Sequence, residues 1–546
     1  MNQDLTPKLI SVLVEGYNRA RLKKDAISGL TVAIVALPLS MAIAIASGVT
    51  PDRGLYTAIV GGFLVSMLGG SRHQIGGPAG AFIVLVAATM ARHGIEGLLL
   101  ATAMSGLFLM AAGFLRIGTY IKFIPYPVTV GFTAGIAVII FASQVRELLG
   151  LTLSGPEPGA FVAKIEALVA AASTISPSAT TIAGLTIAVI LLLRRLKPHW
   201  PGLLIAVVLA SIVATLFGLP VETIGTRFGG IPRSLPLPSF PAISLDLALD
   251  VLPSALSFTL LGAIESLLSA VVADGMTGRR HRSNMELVAQ GFANVGSALF
   301  GGICVTGTIA RTATNVRAGA TSPFSGMLHS VFLLIFMLVA APLASYIPLA
   351  ALAGVLAVVA ANMVERHAFA ALMRSSRGDT VVLFATFLLV VFRDLTEGIV
   401  VGFAIGAMLF IDRMSRNVTI RPHIGRDDKT EHPIDNTDSD TVIYRLGGAF
   451  FFGAAATVGT VLDRIADSYS NFVLDCSDLS FMDSTAANVI EGTVRKAEKA
   501  GVRIYISGTN DEFRRLLQTH DVAPARVVFT KTIEEACELI GNTGRS

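Results

Sequence analysis

From residue 29 to residue 412 the chain keeps returning to apolar runs of membrane-crossing length. A helix needs roughly 20 apolar residues to traverse the hydrocarbon. The pattern predicts fourteen segments: 29–47, 54–70, 77–91, 94–115, 125–148, 177–193, 201–218, 250–272, 286–302, 307–320, 323–341, 346–363, 379–392 and 396–412. Only 15% of the residues are charged, where a soluble chain carries about a quarter. Lipid covering the exterior accounts for the shortfall. The first run follows basic residues, as a signal peptide does, but it is long enough to span and many similar runs follow, so it reads as the first membrane helix. A net charge of +4 makes no case for nucleic acid, and three cysteines are too few for a disulfide framework.

Basic residues collect on the cytoplasmic side of membrane proteins. Here they follow the even-numbered segments: Arg72; Arg116 and Lys122; Arg194, Arg195 and Lys197; Arg279, Arg280 and Arg282; Arg366, Arg374 and Arg377; Arg413 and Arg416. Arg19, Arg21, Lys23 and Lys24 precede the first segment. Both termini are therefore expected in the cytoplasm of a cell with a bacterial-type inner membrane.

The two halves echo each other. LTVAIVALPLSMAIAIASG (30–48) lies over SFTLLGAIESLLSAVVADG (257–275), placing Pro38 on Glu265. GGSRHQIGGPAGAF (69–82) lies over GGICVTGTIARTAT (301–314), and IPYPVTVGFTAGIAVII (124–140) over IPLAALAGVLAVVAANM (347–363). Three echoes in one order predict seven helices duplicated. Seven is odd, so the second copy is inverted in the membrane. The third and tenth segments are short and rich in Gly, Thr and Pro, which predicts an extended run followed by a half-length helix in each. Such backbone is tolerated only inside protein or beside a water-filled cavity. The pseudo-twofold then points two half-helix N-termini at each other, each with unpaired N–H groups and about half a positive charge. That pairing forms an anion site made of backbone.

Glu265 lies mid-helix among apolar residues, where a charge costs roughly 2.5–3.5 kcal/mol. Two readings stand: a cation-coupling carboxylate beside the anion, or a Glu satisfied by Ser266, Ser269 or backbone. Ser269, one turn on, shares its face. A Glu rather than an Asp favours proton over sodium coupling. Arg311 either approaches the anion with its fork or clamps carbonyls of the neighbouring broken segment. Asp274 and residues 279–282 read as a cap and a topology signal. His73 and His329 read as ordinary core histidines.

At GAIESLLSAVVADGMTGRRHRSN (262–284) and TGTIARTATNVRAGATSP (306–323) the chain resembles the sulfate permease family of anion transporters, over about residues 25–540. The resemblance implies fourteen helices in two inverted repeats of seven, divided into core and gate domains, with homodimers and an elevator-like movement of the core. It places the anion at Gly77, Pro78, Ala79, Gly80, Ala81 and Phe82, with Thr308, Ile309, Ala310 and Arg311. Where the family's first helix often reads Pro-Gln-Gly-Met-Ala-Tyr-Ala, this chain has Pro38, Leu39, Ser40, Met41, Ala42, Ile43 and Ala44. The pocket-facing glutamine and aromatic thus become Leu39 and Ile43.

Beyond residue 440 the pattern changes. TVIYRL (441–446), NFVLDC (471–476), VRIYIS (502–507) and RVVFT (526–530) read as strands; 454–468, 484–499, 510–519 and 532–541 read as helices, an α/β unit. LDCSDLSFMDSTAAN (474–488) resembles the signature of STAS domains, in whose signalling members a hydroxyl at this turn is phosphorylated. Ser484 is the matching residue, and with Asp483 it reads equally as a helix cap. The expected organisation is a cytoplasmic segment 1–28, a transporter domain 29–412, a linker 413–440 and a STAS domain 441–546.

The whole predicts a secondary active transporter, not an enzyme, without cofactor or metal. It would move sulfate, bicarbonate or a C4-dicarboxylate with H+ or, alternatively, Na+. Its expected partners are membrane lipid, a second copy, and a cytoplasmic protein at the STAS domain. A nucleobase–cation symporter of related architecture, an anion channel, or a membrane anchor for STAS signalling are the competing functions.

Overall fold

Backbone in lipid has to satisfy its own N–H and C=O groups, so the apolar runs become helices close to where they are expected. The computed structural model describes residues 3–120, 123–155, 157–197, 200–241, 243–393, 395–422, 441–465 and 470–543. It divides into two units, Met1–Phe403 and Ala404–Ser546.

Among the described residues, fourteen spans run Arg19–Ala46, 51–68, 80–93, 95–114, Tyr126–Leu149, Pro177–Leu196, Gly202–Leu216, Leu245–Thr277, Ser283–Leu299, Ile309–Arg317, Phe324–Ala344, Leu349–Met363, Arg377–Phe392 and Leu395–Arg416. Eight helical stretches are long and apolar enough to cross a membrane by themselves. The tenth span has only 9 residues. The third and fourth form one helical stretch broken at Gly94, whose φ of 65° and ψ of −167° belong to glycine alone. The second span carries a π-turn over Thr57–Gly61.

The first helix starts ten residues before the apolar run, and the segment ahead of it is less independent than its composition suggests. A short helix, Lys8–Val14, lies against the bundle, with the Lys8 amide donating to the Gly69 carbonyl at 2.9 Å. Arg282 Nη1 donates to the Thr6 carbonyl at 2.8 Å and to Ser11 Oγ at 3.0 Å, and Arg72 is paired with Glu15. Asp25 is fully buried and accepts from Tyr17, Thr321 and Ser322.

In the second unit a five-stranded sheet has the order β3 (Thr419–Pro422), β4 (Thr441–Phe450), β5 (Asn471–Met482), β6 (Arg503–Ser507), β7 (Val528–Thr530). The first two strands named are antiparallel and the other pairs parallel. Side chains alternate between faces. Phe472, Leu474 and Ile506 pack under one set of helices, and Val473 and Tyr505 pack against Ile533 and Ala536 on the other side. The stretch 413–440 expected to be linker begins as the end of the helix Leu395–Arg416 and continues into strand β3; its residues 423–440 lie outside the described residues. Asp483 alone caps the helix Ser484–Ala500, its Oδ1 accepting from the Ala486 amide at 2.9 Å, and Ser484 stands exposed at the first helical position.

Candidate anion site

The third and tenth spans each begin with extended backbone, and those extended pieces meet. Strand β1 (Gly76–Gly77) pairs antiparallel with β2 (Thr306–Gly307), Gly76 opposite Gly307 and Gly77 opposite Thr306. The Thr308 amide then donates to the Ile75 carbonyl at 3.0 Å. The chain turns helical three residues past β1, at Gly80, and two residues past β2, at Ile309.

Non-helical backbone at this depth needs partners, and side chains of neighbouring helices supply them. The ninth span presents polar residues four apart, Glu286, Gln290 and Asn294, on one face. Asn294 acts as a strand mimic toward Val305: its Oδ1 accepts the amide at 2.9 Å and its Nδ2 donates to the carbonyl at 2.9 Å. Thr57 Oγ1, set by the π-turn, accepts the Ile303 amide at 2.7 Å, and Ser297 donates to that residue's carbonyl at 2.7 Å. On the other broken segment Glu286 accepts from the Ser71 amide at 3.0 Å, Thr312 from the Ile75 amide at 3.1 Å, and Asn315 donates to the His73 carbonyl at 2.8 Å. Gln74 Nε2 bridges Glu286 at 2.9 Å and Ser266 Oγ at 2.9 Å.

The two helix starts themselves have no side-chain cap. Their first amides therefore lack intrahelical acceptors and point outward. Gly80 and Ile309 are half-buried and Ala310 is exposed, so these ends are reachable, while Ala79, Ala81, Phe82 and Thr308 are buried. Phe82 meets Phe258 edge-on at 6.0 Å and bounds the site toward the eighth span. Gly80 faces the fifth span, where a Cβ would stand 3.1 Å from Ile140 Cδ1. Leu39 and Ile43 are buried in the main apolar core.

Arg311 is 1% exposed and has no carboxylate partner among the described residues. Its Nη2 donates to Ser40 Oγ at 3.1 Å and to the Pro78 carbonyl at 3.3 Å, whereas Nε and Nη1 have no partner among the described residues. One nitrogen thus clamps the opposite broken segment, and two donors remain free. Gly77 and Pro78 are fixed by the same contact, since a Cβ at Gly77 would collide with Nη1.

Glu265 stands on the face of the eighth span that touches both broken segments. Thr306 Oγ1 donates to the Gly262 carbonyl at 3.3 Å, Gln74 donates to Ser266, and Ser269 donates to Thr312 at 3.1 Å. Ser266 serves as acceptor to Gln74 and Ser269 spends its hydroxyl hydrogen on Thr312, and no hydrogen bond or ion pair reaches Glu265 among the described residues, although it is only 7% exposed. Its satisfaction by Ser266 or Ser269 is therefore not what this geometry shows. His73 and His329 also differ from expectation: both are buried with neither ring nitrogen bonded among the described residues. Sequence reasoning missed Ser40, Gln74, Glu286 and Asn294. For Glu286 and Asn294 the available signal was their four-residue spacing with Gln290 along the ninth span.

Among the described residues the two broken segments and the eighth span thus leave over two guanidinium nitrogens of Arg311 without a partner, two helix starts without a side-chain cap and the Glu265 carboxyl.

The family model described as "Sulfate permease family" matches residues 22–386, and that for the STAS domain matches residues 432–536. The chain is 39% identical over 508 residues to the putative sulfate transporter YvdB of Bacillus subtilis, covering 92% of this chain and 94% of that one. It is 32% identical over 515 residues to the bicarbonate transporter BicA of Synechocystis, covering 91% and 90%. Among solved structures, the transmembrane domain of a cyanobacterial BicA superposes with a TM-score of 0.62 at 32% identity, over 71% of this chain and 98% of that one. The murine anion transporter Slc26a9 in its inward-facing state superposes with a TM-score of 0.85 at 19% identity, over 97% and 93%, a likeness of fold. A repeated membrane bundle with two broken spans, a STAS unit and matches over nine-tenths of its length make one assignment: the chain belongs to the sulfate permease family, a multi-pass membrane transporter family and not an enzyme family.

Proposed function

We propose that this protein is a secondary active transporter that carries a small inorganic oxyanion, sulfate or bicarbonate, across the inner membrane with a co-moving cation. The observation that carries the reading is the pair of uncapped half-helices joined through β1 and β2 with Arg311 Nε and Nη1 left unpaired beside them. Partial charges at two helix ends plus one guanidinium suit one or two negative charges held in an orienting set of hydrogen bonds. The substrate classes are taken over from the relatives, a putative sulfate transporter and a bicarbonate transporter.

In this proposal the anion sits between Gly77–Phe82 and Thr308–Arg311, with Leu39 and Ile43 as its apolar wall, and Glu265 is the coupling group. A bare carboxylate on the same face as the site repels an incoming anion; a proton, or a sodium ion, removes that repulsion and lets both bind together. Proton coupling is the first reading and sodium the alternative. Movement is an elevator-like displacement of the core, the assembly is a homodimer, both termini face the cytoplasm, and the STAS unit offers a docking face to a cytoplasmic protein.

The test is uptake of labelled sulfate and bicarbonate into proteoliposomes under an imposed proton or sodium gradient. Wild type is expected to accumulate one of the anions with one of the gradients. Glu265→Gln is expected to lose gradient-driven accumulation while retaining part of its anion exchange. Accumulation by the variant equal to wild type would remove Glu265 from the coupling step, and absence of anion uptake under every gradient would remove the transporter reading.

A further inference from the structure

At the end of the bundle where the basic loops collect, the fifth, sixth and twelfth spans and the short helix Arg366–Ser375 enclose a cleft of about 1030 Å³. Its mouth is polar: Tyr126, Arg194, Asn362, Glu365, Arg366 and His367. Its depth is apolar, walled by Phe141, Ile187, Leu191, Ala357 and Val358. Tyr126 and Phe141 stand on one helix, 15 residues apart, so the cleft extends about 22 Å along that span at 1.5 Å per residue. One leaflet of hydrocarbon is about 15 Å deep. The groove is therefore long enough for a whole acyl chain, with its charged end at the membrane surface.

The charges at the mouth do not cancel. Arg194 Nη1 donates to Asn362 Oδ1 at 2.6 Å, which aims the guanidinium across the opening. Among the described residues neither Arg194 nor Arg366 is paired with a carboxylate, and the mouth's own carboxylate, Glu365, faces the Tyr126 hydroxyl. Two arginines above an apolar slot match a phosphodiester head group on hydrocarbon tails. None of these residues belongs to the proposed anion site, so the inference stands apart from that reading.

We infer that this cleft is a binding site for an anionic glycerophospholipid of the cytoplasmic leaflet, with Arg194 and Arg366 on its phosphate and one acyl chain along the wall from Ile187 to Phe141. Zwitterionic lipids would satisfy the tail groove but carry no net charge for the arginines.

Native mass spectrometry of the full-length detergent-purified protein, titrated with phosphatidylglycerol and with phosphatidylcholine, tests it. Wild type is expected to retain phosphatidylglycerol in preference to phosphatidylcholine. The double variant Arg194→Gln/Arg366→Gln is expected to bind phosphatidylglycerol roughly thirtyfold more weakly, with Arg413→Gln/Arg416→Gln unchanged. Ala361→Trp, which keeps both arginines and fills the slot, is expected to weaken both lipids, and it serves alone if the double variant does not fold. Equal retention of the two lipids by wild type, unchanged binding in the groove variants, or displacement of the lipid by millimolar inorganic phosphate would each overturn the inference.

Discussion

Replacing Asn294 by leucine removes the strand mimic that holds Val305. Leucine keeps the branching and heavy-atom count of asparagine and is not smaller, so no cavity forms, and the polar part of the effect comes from two backbone groups that lose partners at 2.9 Å. Val305 is 1% exposed, so water does not replace the missing bonds. Each orphaned buried group costs about 1–3 kcal/mol, so Asn294→Leu is expected to destabilise the bundle by about 2–6 kcal/mol. Thr57→Val orphans one group, the Ile303 amide, and is expected to cost about half as much. Equilibrium unfolding in mixed micelles, followed by circular dichroism against denaturing-detergent fraction, reads both values. If Asn294→Leu lies within about 0.5 kcal/mol of wild type, the range expected of an ordinary surface change, the broken segment does not depend on the ninth span and the account of how irregular backbone survives here is wrong.

Two other outcomes follow from single residues. Gly94→Ala is expected to cost about 1–3 kcal/mol from backbone strain alone, because nothing lies within 4 Å of the added Cβ; an unfolding midpoint equal to wild type in the same assay would contradict the break between the third and fourth spans. The hydrogen bond from Arg72 holds the Glu15 carboxyl below its ordinary 4.5. The contact therefore stabilises the docked helix Lys8–Val14 at neutral pH and is lost as pH falls through that lowered value. Glu15 is largely exposed, so the gain is about 0–1 kcal/mol. Amide exchange in residues 8–14, compared at each pH with Glu15→Gln, should differ at pH 7 and converge in acid; no difference at pH 7 would show the pair to be idle.

The membrane architecture was legible because hydrocarbon permits so few backbone solutions that length and hydropathy nearly decide the spans. The paired glycines 76–77 and 301–302 announced broken segments, although only pairing of Gly76 with Gly307 fixed which residues meet. Arg311 and Glu265 were legible as polar residues out of place. What they touch was not, since Ser40 and Pro78 reach Arg311 from 271 and 233 positions away in sequence. Glu286 and Asn294 escaped notice because each looks like an ordinary helix polar residue until the backbone it serves is in view. Strand β3 escaped because four residues at a sheet edge, with an exposed pattern, carry no periodicity of their own.

Among the described residues, the hydrogen bonds of the two broken segments go to the N-terminal segment, to the first, second, fourth, eighth, ninth and eleventh spans and to each other. Toward the fifth span the meeting of Gly80 with Ile140 is greasy and unbonded. Sliding along that boundary would therefore break no hydrogen bond among the described residues.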